Sequence, residues 1–199
     1  MISKSRSLLF SMFSILLLAA GTAFAQPAVD QSAPAADPVQ FTMALGGPGA
    51  GQVLYQSLTV GVDGRLRELR LPIGCASGTV NLEIFPADPT TDLPLAGASA
   101  IVSQSYPYDF FPEVVSLDYQ PLPLGARTGV TAGDYIVIVL SNPTGSCGIA
   151  FGVAGDAYAG GTAQANDLDS PDGPSPWSSS GFDDMPFQFV TIRTGSRRP

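Results

Sequence analysis

Six consecutive apolar residues, Tyr135-Ile-Val-Ile-Val-Leu140, constrain this chain more than any other stretch. Ile136 to Val139 are all β-branched. Such side chains are stiff at χ1 and fit a pleated surface better than a helix. Turn residues bound the run, Thr131-Ala-Gly-Asp134 before it and Ser141-Asn-Pro-Thr-Gly145 after it. A short apolar run bounded in this way reads as a strand covered on both faces. It predicts the central strand of a two-layer β structure.

Other segments alternate with period two. Phe41, Met43 and Leu45 alternate, as do Leu69, Leu71 and Ile73, and Val80, Leu82 and Ile84. Val53–Val60, Ala98–Ser105, Val114–Tyr119, Cys147–Val153 and Pro186–Arg193 read as further strands. Asp63-Gly64 is a tight-turn signal. Gly46-Gly-Pro-Gly-Ala-Gly51 lacks the Lys-Ser/Thr of a phosphate loop and reads as a turn. No segment beyond the N-terminal leader keeps a helical period. The spacing predicts an all-β chain, a jelly-roll-like β-sandwich of nine to ten strands.

The N-terminus has the form of a secretory signal. Lys4 and Arg6 make a basic start, Leu8–Ala20 an apolar stretch and Ala23-Phe24-Ala25 a small-x-small cleavage site. A membrane span needs about 20 apolar residues, and no later run reaches that length. Residues 1–25 are therefore expected to be removed. Residues 26–38, rich in Ala, Pro, Gln and Asp, read as a disordered or extended linker. Residues 39–194 read as the sandwich domain and 195–199 as a flexible tail. Export places the chain in an extracellular or periplasmic compartment.

Composition excludes several functions. The formal net charge is −8, and two of the nine cations, Lys4 and Arg6, lie in the leader. A surface so acidic repels nucleic-acid backbones and anionic membranes. The chain has no histidine. That removes Ser-His-Asp and Cys-His triads, histidine metal sites and the commonest general base. Cys75 and Cys147 are the two cysteines. In an exported chain they are expected to form one disulfide, closing a long loop and contributing about 4 kcal/mol.

Gln56-Ser-Leu-Thr-Val60, Gly64-Arg-Leu66, Leu69-x-Leu71, Val80-x-Leu-x-Ile84, Pro94-Leu-Ala96, Leu124, Ala132-Gly-Asp-Tyr-Ile-Val-Ile-Val-Leu140 and Tyr158-Ala-Gly-Gly161 follow one another in order. This order resembles a group of bacterial secreted β-sandwich modules found in surface and choice-of-anchor proteins, similar to jelly-roll carbohydrate-binding modules. The resemblance runs from about Gln52 to Ile192. It implies fold and compartment and transfers no catalytic residue. Such modules often carry a Trp before the AGxxY strand. Here Phe110 and Phe111 stand in that neighbourhood.

Three stretches carry candidate chemistry. Tyr106-Pro-Tyr-Asp-Phe-Phe-Pro112 concentrates aromatics between prolines. Exposed rings there would stack on the apolar face of a sugar, and Asp109 would accept hydroxyl hydrogen bonds. Buried rings would instead plug the end of the core. Trp177, in a polar loop, is a further stacking candidate beside Tyr106, Tyr108 and Phe110. The cation-free segment 155–184 contains Asp167, Asp169 and Asp172. They are a candidate set of oxygen ligands for calcium, outside the EF-hand register. Asp183 with Asp184, or Asp109 with Glu113, are the carboxylate pairs a glycosidase would need about 5–10 Å apart. The sequence thus predicts a non-enzymatic binding module for an extracellular or envelope glycan, with no catalytic residue. The alternatives are a structural or interaction protein of the envelope and a carboxylate-based glycoside hydrolase.

Overall fold

The structure is a computed structural model that describes residues 26–36, 42–46, 52–125, 128–167, 175–176 and 184–193. Its elements are β1 (Pro27–Ala33), β2 (Thr42–Gly46), β3 (Gln52–Thr59), β4 (Gly64–Leu71), β5 (Ile73–Cys75), β6 (Thr79–Asp88), β7 (Leu93–Pro94), β8 (Val102–Pro107), a single 3₁₀ turn (Tyr108–Phe110), β9 (Gln120–Pro123), β10 (Gly129–Val130), β11 (Tyr135–Ser141), β12 (Ser146–Ala150), β13 (Ala163–Asp167), β14 (Ser175–Pro176) and β15 (Phe187–Arg193). The described chain is all-β. Its count exceeds the nine to ten strands expected because β5, β7, β10 and β14 span only two or three residues.

Strand β11 is central. It pairs antiparallel with β3 on one side and β6 on the other, Ile138 lying opposite both Gln56 and Ile84. The apolar run supplies the reason. Val137 is buried on one face, Ile136, Ile138 and Leu140 on the other. The large sheet continues from β3 to β13 and β14, and from β6 to β7 and β8. A second sheet runs β1-β15-β4, with β9 and β10 both along the far edge of β4. A third, small sheet runs β2-β12-β5. Leu58, Ile84 and Ile138 of the large sheet and Leu69, Phe187 and Phe189 of the second share one buried cluster. One face of each sheet is thus turned into a common core, the arrangement of a β-sandwich.

Cys75 and Cys147 are directly opposite one another on β5 and β12 and form the expected disulfide, spanning 72 residues of sequence.

Two expectations are corrected. Part of the segment 26–38 is not a disordered linker. Pro27–Ala33 is a strand on the edge of the second sheet, in register with β15 from Pro27 opposite Ile192 to Ala33 opposite Phe187. Ala35 then bridges Gly152, and Ala36 N–H donates to Phe151 O at 2.9 Å. Backbone hydrogen bonds hold this segment, not apolar side chains: Ala33 is its only buried residue among Pro27–Ala33. Val114–Tyr119 is also not a strand. It crosses the small sheet as a loop, with the Val114–Val115 backbone packed on Gly74 and the Val115 side chain near Gly148. Residues 1–25 and 194–199 lie outside the described residues.

Candidate functional site

Strand β8 sets which aromatic residues face the core. Val102 and Tyr106 are buried, while Ser103 and Pro107 are exposed. Tyr106 is only 5% exposed, and its hydroxyl donates to Pro123 O at 2.7 Å. Burial pushes its phenol pKa up to about 12. Tyr106 is therefore a core residue, and its expected place on a stacking surface is corrected. Phe111 is likewise buried, at 7%.

The 3₁₀ turn between them reverses the direction of the rings. Tyr108 is 47% and Phe110 46% exposed, and Asp109 is exposed between them. Phe110 leans on the buried pair, 5.1 Å from the Tyr106 ring and 5.2 Å edge-on from that of Phe111. These are the separations of favourable aromatic contacts. The result is a ledge of two outward rings on two inward ones.

Both ends of the ledge are tied to the disulfide turn. Tyr108 N–H donates to Gly78 O at 3.0 Å, and Cys75 N–H donates to Pro112 O at 2.8 Å. Gly78, at φ +87°, lies against Asn142 and Gly145, where a side chain would collide. The Asn142 amide donates to Ser77 O at 2.9 Å and contacts Cys147 Sγ at 3.1 Å, while its carbonyl accepts from Thr79 N–H at 3.1 Å. A bridge between Cys75 and Cys147 thus braces the turn that carries the aromatic residues.

The carboxylates separate into two groups. Asp184 is fully buried and accepts from the Gln56 amide at 3.2 Å and Tyr158 N–H at 2.7 Å. Burial raises its pKa, an effect those hydrogen bonds partly offset. Its two oxygens are committed to holding the Tyr158 loop on β3. Asp183 lies outside the described residues. Asp109 and Glu113 are both on the surface.

Trp177, Asp169 and Asp172 lie outside the described residues, and Asp167 ends β13. Among the described residues, no group of three or more His, Cys, Asp or Glu is placed to hold a metal ion.

A polar cluster that sequence reasoning missed covers the outer face of the large sheet. Ser57 on β3 is fully buried there and donates to Asp92 at 3.0 Å. It also accepts from Thr162 N–H at 2.8 Å. The Tyr135 hydroxyl reaches both Ser57, at 2.9 Å, and Asp92. Gln164 donates to Thr91 O at 2.7 Å. The loop between β6 and β7 is thereby fastened over the sheet. No sequence spacing announces contacts between residues 57, 92, 135 and 162.

Comparison of the chain with protein-family models, with curated proteins and with solved structures finds no match.

Proposed function

We propose that this chain is an exported, non-enzymatic binding module whose ligand is an extracellular or envelope glycan seated on Tyr108 and Phe110. The observation that carries this reading is the pair of half-exposed rings, held outward by a turn that is hydrogen-bonded at both ends. A surface ring ordinarily loses rotational freedom on binding. A ring already packed against Tyr106 and Phe111 loses less, which favours affinity. The apolar C–H face of a sugar suits the rings, and the exposed Asp109 carboxylate suits its hydroxyls.

A second reading, an interaction protein of the envelope without a small ligand, is favoured by one observation. Val114 is 74% exposed a few residues beyond the ledge. Tyr108, Phe110 and Val114 together would also suit an apolar protein partner.

Retention of the purified protein on a panel of insoluble and immobilised polysaccharides separates the two. Tyr108→Ala/Phe110→Ala is expected to abolish retention in a variant that still folds, its melting temperature lowered only by the lost Phe110 ring contacts. No retention on any polysaccharide would overturn the glycan reading. Val114→Ser is expected to leave glycan retention unchanged.

A further inference from the structure

The described arginines lie on two neighbouring strands. Arg65, Arg67 and Arg70 are on β4, and Arg193 ends β15. The strands are hydrogen-bonded partners, Ile192 opposite Arg65 and Gln188 opposite Arg70. Leu66, Leu69 and Leu71 take the core side of β4, which leaves its arginines on the solvent side. Arg67 falls at a bulge, between Leu66 opposite Thr191 and Glu68 opposite Val190. Bulges re-aim side chains and are common beside functional sites.

The neighbouring described acids form no ion pair with Arg65, Arg67 or Arg193. Among the described residues, the one ion pair is Arg70 with Glu68, at 2.5 Å. The acids around the turn into β4 hold backbone N–H groups instead. Asp30 accepts from Gly61 at 3.0 Å, Asp63 from Ala132 at 2.8 Å and Asp134 from Thr131 at 2.8 Å. Arg65, Arg67 and Arg193 stand exposed. In a chain of net charge −8, Arg65 and Arg67 put positive charge on the solvent face of β4, while Arg193, opposite Gly64, falls on the other face.

We propose that the solvent face of the β4–β15 pair is a second binding site, for a polyanion of low charge density, namely a carboxylate-bearing polysaccharide. Guanidinium forks match carboxylates two bonds at a time. Residues two apart on a strand stand about 6.5 Å apart, so Arg65 and Arg67 engage separate carboxylates of one polymer. Duplex nucleic acid carries a charge per about 1.7 Å and is repelled by the acidic remainder of the molecule. A folded protein partner needs an apolar, charge-depleted centre. Of the exposed large apolar side chains, only Val29 belongs to this sheet. The site is separate from the ledge, whose residues follow β8 of the large sheet, and it does not depend on what the ledge binds.

The test is binding of the purified protein to polygalacturonate, to a neutral polysaccharide and to a short DNA duplex, at low and high salt. Tight, salt-sensitive binding to polygalacturonate is expected, about tenfold weaker for each arginine lost in R65Q/R67Q. R65K/R67K, which keeps the charges but not the forks, is expected to lose less. Y108A/F110A is expected to leave polygalacturonate binding intact. Unchanged affinity in R65Q/R67Q would overturn the proposal. So would DNA binding as tight as that of polygalacturonate. Arginine-dependent self-association without polygalacturonate binding would also overturn it and assign this face to a second copy of the chain.

Discussion

The Tyr135 hydroxyl is hydrogen-bonded to the Asp92 carboxylate across 43 residues of sequence, and Asp92 stands at φ 60°. A left-handed backbone is uncommon for a residue with a side chain, although aspartate tolerates it better than most. The partners of Asp92, Tyr135 and Ser57, are where that conformation is fixed.

Asp92→Ala is expected to destabilise the fold by about 2–3 kcal/mol, through lost charge-assisted hydrogen bonds and a poorer left-handed residue. Asp92→Asn keeps an acceptor and tolerates the conformation, so it is expected to cost less. Urea denaturation measures both. Equal stabilities of wild type and Asp92→Ala would show that the loop is not held by this contact.

The buried phenols set an alkaline limit. Burial pushes Tyr106 and Tyr135 up to about 12 from an ordinary 10, and the Asp92 carboxylate adds to the effect at Tyr135. Below pH 10 both phenols are protonated in the folded and unfolded chain. As pH rises from 10 to 12, the unfolded chain ionises while the folded one holds its protons, so stability is lost across that window. Burial raises the Tyr119 and Tyr158 phenols as well, so ultraviolet titration of tyrosinate is expected to show several late groups, and Tyr106→Phe to remove one of the latest.

Thr191 is fully buried, and its hydroxyl has no hydrogen-bond partner. An unsatisfied buried polar group costs about 1–3 kcal/mol. Thr191→Val keeps the shape and removes the hydroxyl, so it is expected to raise stability by about 1 kcal/mol. A lower denaturation midpoint would contradict this.

Removing the bridge is expected to act on stability and binding together. Cys75→Ala/Cys147→Ala opens a loop of 72 residues, expected to cost about 4 kcal/mol. The ledge should also loosen, because its anchors are Cys75 and Gly78. Retention on any polysaccharide that the unsubstituted protein binds, measured well below the variant's melting temperature, is expected to fall several-fold. Full retention would show that the ledge is rigid without the bridge.

What the sequence made legible is what side-chain burial writes into it. The β11 run was visible because both faces of that strand are covered. The pairing of Cys75 with Cys147 followed from there being two cysteines. Strand β1 was hidden because backbone hydrogen bonds hold it and leave no apolar pattern. Val114–Tyr119 has a strand-like composition, yet its backbone packs on Gly74 and the Val115 side chain on Gly148 without a sheet, while Val114 stays exposed. The aromatic segment was visible, but not which rings turn outward. The period of β8 did contain that signal, since Tyr106 shares the parity of the buried Val102. Ser57, Asp92 and Tyr135 left no trace, because their proximity is a product of the completed fold.

The pairing of Pro27–Ala33 with residues 187–192 of β15 has a consequence for assembly in time. A chain synthesised N-terminus first delivers β1 early and β15 late. The edge of the second sheet therefore cannot close until residue 192 has emerged. Through that interval β1 waits as an unpaired strand, and its sparse apolar content keeps the waiting segment from seeking other partners.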